Sequence, residues 1–128
     1  MDAGADALIV DSRSRVLLVR RADDGSWAMP GGWIEAGETP AAAAEREAFE
    51  ETGLVVRVLA LVEVTHRPRS DHYTFRCEVV SGRPILSDET VDVEFRCIDD
   101  VDNWHADHAE RVRRAVDLPA DHRPGAHR

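Results

Sequence analysis

The segment GWIEAGETPAAAAEREAFEETGL, from Gly32 to Leu54, carries the strongest structural signal in the chain. Thr39 is a residue type that favours the N-cap of a helix, and Pro40 suits the first helical position. Gly53 suits the position at which a helix stops. The segment therefore predicts a helix over about residues 40–52.

Three glutamates share one face of this predicted helix. Glu47, Glu50 and Glu51 stand at i, i+3 and i+4, so they fall within about 100° of one another. Such carboxylates repel unless a cation lies among them, and their hard oxygen atoms suit Mg²⁺ or Mn²⁺. The alternative is a solvated acidic face. Glu45 projects to nearly the opposite side, as surface or as an ion-pair partner, and Phe49 is expected to pack inward.

The spacing around the helix is more specific than the glutamates alone. It follows the pattern G-x5-E-x7-R-E-A-x-E-E-x-G-L, whose fixed positions are Gly32, Glu38, Arg46, Glu47, Ala48, Glu50, Glu51, Gly53 and Leu54. This pattern resembles the complete Nudix box, with Ala48 at the small end of what the family accepts at its position. The preceding Trp27-x-Met29-Pro30-Gly31 also resembles the family's approach to the box.

The resemblance implies a role for each position of the box. It implies that the carbonyl of Gly31 and the carboxylates of Glu47, Glu50 and Glu51 bind the metal. It also implies that Glu38 and Arg46 form a structural pair between loop and helix. Glycine at positions 31 and 32 lets the backbone turn tightly and approach a ligand, although an ordinary turn is the alternative.

The rest of the chain alternates between strand-like and helical patterns. We predict a hairpin from 5–10 and 15–20, strands at 54–64, 72–80 and 91–98, a polar interruption at 65–71, and a second helix at about 105–116. Hairpin-like connections argue against a purely parallel sheet, so an α/β (α+β type) fold with a mixed sheet is expected. The family resemblance implies an α/β/α sandwich. Residues 1–118 are predicted to form one domain and residues 119–128 a flexible tail.

Composition restricts the partners and the compartment. The chain has 25 acidic and 16 basic residues, a formal charge of −9, which disfavours nucleic acid and anionic lipid as partners. A small polyanionic substrate would need a cation. We find no secretory signal and no apolar run of about 18 residues, so a cytoplasmic protein is expected. Cys77 and Cys97 are predicted to be reduced core thiols. The sequence leaves a homodimer open.

Further candidate site residues lie in loops and near the ends of predicted strands. The general base is either one of the catalytic box carboxylates, Glu47, Glu50 and Glu51, or a later acid. The later candidates are Glu89 and Asp92, and an acidic turn is an equal alternative for each. Trp27 or Tyr73 could stack on a base, and Arg67 or Arg69 could meet phosphate, although each also fits a core or surface role. Trp104, His105 and His108 are interpreted as helix entry and helix surface.

The resemblance implies a Mg²⁺-dependent hydrolase, with Mn²⁺ as a substitute. Its substrate would be a nucleotide, namely a nucleoside diphosphate linked to a group X such as ADP-ribose, or a (deoxy)nucleoside triphosphate. The products would be a nucleoside monophosphate and phospho-X. A nucleotide-binding regulatory domain without turnover is the main alternative. A structural cation site would explain the carboxylates but not the spacing of Gly32, Glu38 and Arg46.

Overall fold

The computed structural model describes residues 2–118, so the predicted tail at 119–128 lies outside the described residues. The elements in chain order are β1 (Asp2–Leu8), β2 (Val16–Arg21), β3 (Trp27–Ala28), β4 (Gly31–Trp33), α1 (Pro40–Thr52), β5 (Leu54–His66), β6 (Ser70–Gly82), β7 (Thr90–Arg96), a 3₁₀ turn (Ile98–Asp100) and α2 (His108–Ala115). Neither helix of this part of the chain is long and apolar enough to cross a membrane.

The strands form two sheets. One has the order β4-β1-β6-β5, in which β1 and β6 are parallel and the other pairs antiparallel, so the predicted mixed sheet is confirmed. The other has the order β3-β2-β7 and is antiparallel. We did not predict this second sheet.

The predicted N-terminal hairpin is wrong, because β1 and β2 belong to different sheets. Near the turn they are joined by a bridge between Val10 and Val16 and by hydrogen bonds of 2.9 Å from Leu17 N to Ile9 O and from Asp11 N to Arg15 O. Both strands contain runs that are buried on both faces. A strand buried on both faces needs a packed layer on each face. Both β1 and β2 also have a hydrogen-bonded strand on either side, so each occupies the interior of its own sheet.

Helix α1 has the predicted bounds and caps. The Thr39 side chain accepts a hydrogen bond from Ala42 N, and Gly53 ends the helix with φ 78°. The inward face consists of fully buried small side chains, Ala43, Ala44 and Ala48. Phe49 was expected to pack inward, but 55% of its surface is exposed, because it follows Ala48 and projects about 100° away from the buried face.

The four-stranded sheet separates two apolar clusters. On one side, Ala5, Ala7, Phe75 and Cys77 pack against the alanines of α1. On the other side, Leu8 and Val62 pack with Val112 of α2 and with the second sheet. The expected sandwich of helices about a mixed sheet is confirmed. The second sheet contributes to both clusters, with Leu17 in the α1 cluster and Val16 and Leu18 in the α2 cluster.

Three smaller expectations need correction. Cys97 is exposed rather than a core thiol, because β7 ends at Arg96 and the alternation stops there; Cys77 is buried as expected. The predicted interruption at 65–71 is shorter, since β5 continues to His66 and β6 begins at Ser70. Helix α2 begins at His108 rather than near His105.

Candidate active site

Two glycines at the start of β4 bring the backbone close to carboxylates on both sides. A Cβ atom on Gly31 would lie 2.0 Å from Asp6 Oδ1 and 2.5 Å from Ala5 O. A Cβ atom on Gly32 would lie 2.0 Å from Glu47 Oε2. Neither position has space for a side chain, so the loop approaches β1 and α1 at backbone distance.

Glu51 lies in the wall between this loop and α1. Its side chain is 9% exposed, and its Oε1 accepts a hydrogen bond of 2.9 Å from Gly31 N. Burial raises the pKa of Glu51 to about 8, and repulsion from Glu47, Asp6 and Glu89 adds to the rise, while the Gly31 hydrogen bond opposes it. Several acidic groups therefore surround a buried carboxyl, which favours a cation or a proton at this point.

Arg46 binds the other two glutamates of the acidic face. Its Nη1 donates to Glu47 Oε1 at 2.6 Å and to Glu50 Oε1 at 2.8 Å. Its Nε donates to Glu38 Oε2 at 2.6 Å, and its Nη2 donates to Trp33 O at 3.2 Å. These contacts raise the pKa of Arg46, with Glu38 contributing most. The loop from Gly31 to Glu38 is thus tied to α1 by one guanidinium.

Glu51, Gly31 and Gly32 border a cavity of about 700 Å³, whereas Glu47 and Glu50 are not among its lining residues. It lies between the polar face of the four-stranded sheet, the second sheet and the segment before β7. Its charged and histidine residues are Asp6, Arg21, Asp23, Glu51, His72, Asp88, Glu89, His105 and His108. The remaining lining residues include Gly4, Met29, Gly31, Gly32, Trp33 and Thr90.

A buried ion pair supports the floor of the cavity. Arg111 of α2 is completely buried, and its Nη2 donates to Asp6 Oδ2 at 2.6 Å and to Thr74 Oγ1 at 2.8 Å. Asp6 is itself only 6% exposed. Because Thr74 and Gly31 flank Asp6 in the sheet register, this pair fixes the strand row that carries the cavity floor to α2.

The histidines of the cavity are held neutral. His108 is buried and its Nδ1 accepts a hydrogen bond of 2.9 Å from Met29 N; burial lowers its pKa to about 4. Burial also lowers the pKa of His72 and of His105. The sequence interpretation of His105 and His108 as helix entry and surface is therefore wrong for His108, and His105 lines the cavity.

The candidate residues from later in the chain separate into two groups. Glu89 lines the cavity, whereas Asp92 lies within β7, where its Oδ1 accepts from Val93 N. Of the other four candidates, none lines the cavity among the described residues: they are Trp27, Arg67, Arg69 and Tyr73.

The surroundings of those four residues explain their position. Trp27 is 8% exposed, belongs to the α2-side core, and carries Arg96 at 4.5 Å from its ring centroid. Tyr73 packs on the α1 side of the sheet, parallel to the ring of Phe75. Arg67 pairs with Asp107 at the start of α2, and Arg69 is exposed in the β5–β6 turn.

Sequence reasoning missed several residues that do line the cavity. Asp6 lies in an apolar strand, Arg21 ends β2, and Trp33 follows the glycines. Asp6 carried a usable signal, since a lone acid in an apolar strand requires a partner. His72 could have been found by taking the other face of the strand that contains Tyr73, because alternate residues face opposite sides.

The donor atoms fit a divalent cation of the hard type. Among residues 2–118 no three acidic, histidine or cysteine side chains converge closely enough, as they stand, to hold a metal ion. Arg46 accounts for this, since it occupies two of the glutamates. Oxygen donors from Glu47, Glu50 and Glu51, beside a glycine backbone with no side chain in the way, suit such an ion.

Comparisons with known proteins identify the family. The NUDIX domain family matches residues 2–117. A MutT-like protein of Streptomyces ambofaciens is 35% identical over 118 residues, which cover 90% of this chain and 77% of that protein. An ADP-ribose pyrophosphatase of Methanocaldococcus jannaschii is 30% identical, over 82% of this chain and 68% of that protein.

A solved structure extends the likeness to the fold. The crystal structure of an ADP-ribose pyrophosphatase from Streptococcus suis superimposes with a TM-score of 0.75 at 26% identity, over 90% of this chain and 89% of that one. The family match covers nearly all of the described residues, including both sheets and the acidic helix face. The chain therefore belongs to the Nudix family and is a Nudix hydrolase.

Proposed function

We propose that this enzyme is a Mg²⁺-dependent pyrophosphohydrolase that cleaves the diphosphate linkage of a nucleoside diphosphate joined to a group X, of the ADP-ribose class. The products are a nucleoside monophosphate and phospho-X. The observation that carries the proposal is the buried Glu51, bound to Gly31 N and surrounded by other carboxylates at the edge of a substrate-sized cavity.

In this proposal the acidic face of α1 holds the cation. Glu47, Glu50, Glu51 and the carbonyl of Gly31 are the ligands, and Mn²⁺ can substitute. When bound, the cation neutralises the diphosphate and makes one phosphorus more electrophilic. Glu47 and Glu50 would share their oxygen atoms between Arg46 and the cation, while Arg46 keeps its contacts with Glu38 and with the backbone of Trp33.

A carboxylate must accept the proton of the attacking water. The water oxygen forms a bond to phosphorus, and the bond from that phosphorus to the bridging oxygen breaks. Among the later candidates, Glu89 is supported by its place in the cavity and by its electrostatic effect on Glu47 and Glu51, whereas Asp92 is occupied by its own strand. Glu89→Gln should lower kcat at least tenfold, and Asp92→Asn serves as the matched control.

The choice of ADP-ribose rests on similarity and on cavity chemistry. Two of the similar proteins carry the name ADP-ribose pyrophosphatase. The cavity contains Arg21 and three neutral histidines besides its acidic groups, so it offers hydrogen-bond donors and acceptors for a ribose and its substituents. A (deoxy)nucleoside triphosphate is the competing substrate, and the same experiment decides between them.

The test measures product release from ADP-ribose, other nucleoside diphosphate derivatives and (deoxy)nucleoside triphosphates with Mg²⁺ in excess. Wild type is compared with Glu50→Gln and with Glu45→Gln. Glu50→Gln should lower kcat at least a hundredfold, because a metal ligand is lost. Glu45 lies on the same helix but accepts from Val58 N on the far side, so Glu45→Gln should retain normal rates.

Two results would contradict the proposal. Preferred turnover of a (deoxy)nucleoside triphosphate would replace the substrate class but keep the reaction. Binding of nucleotides without turnover of any member of the panel would favour the alternative, a regulatory Nudix domain. A third comparison, with Mn²⁺ or Ca²⁺ in place of Mg²⁺, should retain activity with Mn²⁺ and lose it with Ca²⁺, whose larger coordination shell demands other geometry.

A further inference from the structure

One row of residues crosses three strands beside the row of Gly31, Asp6 and Thr74 in the cavity floor. Trp33 of β4 pairs with Gly4 of β1, and Gly4 pairs with His72 of β6. Paired residues in adjacent strands project to the same face, so the two rings stand on either side of a glycine. Their centroids are 5.7 Å apart with an interplanar angle of 50°.

The glycine in this row lets the ring of His72 lie over the backbone of β1, next to Trp33. A Cβ atom at Gly4 would lie 3.0 Å from Nδ1 of His72, closer than nearly all real contacts of that kind. The other ring nitrogen of His72, Nε2, is bound to the Ser70 hydroxyl at 2.9 Å, which fixes the orientation of the ring. His72 therefore lies with Nδ1 over Gly4, and its ring extends the aromatic surface of Trp33.

Trp33 is unusual among the large apolar residues of the cavity in its exposure. It is 57% exposed, whereas Met29, which also lines the cavity, is 2% exposed. A tryptophan in this state gains by covering its ring with another planar surface. Gly4 lies two residues from Asp6 along β1, which separates their two rows by about 7 Å. The ribose between a phosphate and its base can span this distance.

We infer that Trp33, Gly4 and His72 form a platform on which the nucleobase of the substrate stacks, with the ring of His72 beside that of Trp33. This inference rests on the proposed function, since it assigns one part of the same substrate. It makes Trp33 and His72 specificity-determining residues that act on substrate affinity. The reacting phosphates are bound elsewhere, at the acidic face of α1.

The test separates base recognition from phosphate recognition. Dissociation constants are measured by calorimetry for the four common nucleoside 5′-monophosphates and for ribose 5-phosphate, in wild type, Trp33→Ala and Phe49→Ala. At least one nucleotide should bind wild type more tightly than ribose 5-phosphate by about 5- to 150-fold, the range for stacking of one base. Trp33→Ala should abolish that preference and leave ribose 5-phosphate binding unchanged.

Phe49 is the matched control, because it is equally exposed at 55% but lies outside the set of cavity residues. Phe49→Ala should keep the preference in full. A second variant, Gly4→Ala, retains both rings but places a methyl group against His72, and it should weaken nucleotide binding at least threefold. Circular dichroism and a thermal melt show that each variant is folded.

The outcomes distinguish this inference from the proposed hydrolysis. Equal binding of nucleotides and ribose 5-phosphate by wild type would overturn the platform, as would an unchanged preference in Trp33→Ala. Either result can accompany normal turnover of ADP-ribose, in which case the hydrolase proposal survives. A preference that disappears in Trp33→Ala, together with no turnover of any substrate in wild type, would support the platform and overturn the hydrolase.

Discussion

Arg46 and Arg111 each bind carboxylates of the candidate active site, but their surroundings differ. Arg46 is 27% exposed in its side chain and binds Glu38, Glu47 and Glu50. Arg111 is 1% exposed and binds Asp6 and Thr74. The first is surrounded by an excess of acid, while the second is buried with Asp6 at 2.6 Å and Asp107 at 3.7 Å.

The difference has a consequence for what each arginine contributes. An exposed ion pair adds little to the free energy of folding, because water already stabilises the charges. A buried pair costs much when one partner is removed, because the other charge is left without water or partner. We therefore expect Arg111 to govern stability and Arg46 to govern the geometry of the acidic face.

The largest expected effect is that of Arg111→Met. Removal of the guanidinium leaves Asp6 buried and unpaired, and the free energy of unfolding should fall by about 3–5 kcal/mol. Urea denaturation followed by circular dichroism measures this loss. The matched control is Arg114→Met on the same helix, whose pair with Glu63 is half exposed and should cost less than about 1 kcal/mol.

A second variant separates charge from packing at Arg111. Adding Asp6→Asn to Arg111→Met removes the unpaired charge and should restore part of the stability. If Arg111→Met and Arg114→Met cost the same, the contrast between buried and exposed arginines fails. If the double variant recovers nothing, the loss comes from the packing of the Arg111 side chain rather than from charge.

The same contrast explains how much of the site could be predicted from sequence. Arg46 lies within eight residues of Glu38, Glu47 and Glu50, so helix periodicity placed the glutamates on one face and the resemblance implied the pair with Glu38. Arg111 bonds to Asp6 across 105 positions and to Thr74 across 37. No local pattern joins such residues, and only the tertiary fold brings them together.

The face of a strand was a further limit. Alternation correctly placed Tyr73, Phe75 and Cys77 on one face of β6, but alternation does not say which face borders a cavity. The apolar face packs on α1, and the intervening His72 and Thr74 face the cavity and Arg111. The helix α1, its caps and the mixed sheet followed from local signals, whereas the second sheet depended on which strands would be buried on both sides.

His108 tests the buried side of the comparison through pH. Its folded pKa is about 4, below the ordinary 6.5, because burial disfavours the charged ring. As pH falls, the unfolded chain takes up the proton before the folded chain does. The contribution of His108 to the free energy of unfolding is therefore fully present above pH 6.5 and is lost as pH falls from 6.5 to 4. Between pH 7.5 and pH 5 the loss should be about 2 kcal/mol.

The control for this titration is His108→Gln. Glutamine can still accept the hydrogen bond from Met29 N but carries no titrating group in this range. The free energies of unfolding at pH 7.5 and at pH 5, measured by urea denaturation, should therefore differ by about 2 kcal/mol less in the variant than in wild type. If the free energy of unfolding changes equally with pH in both proteins, groups other than His108 cause the loss of stability in acid.

The smallest effect on stability is expected at Arg46. Arg46→Met should lower the free energy of unfolding by no more than about 1 kcal/mol, because its ion pairs are accessible to water. It should nevertheless lower kcat/KM at least tenfold, since the loop from Gly31 to Glu38 loses its connection to α1 and the metal-binding atoms lose their alignment.

Lysine cannot replace arginine here, because one ammonium cannot reach Glu38 and the Trp33 carbonyl in the same fork geometry. Arg46→Lys should therefore resemble Arg46→Met in rate. Full activity in Arg46→Lys would mean that the positive charge alone suffices, and a stability loss as large as that of Arg111→Met would mean that burial does not separate the two arginines.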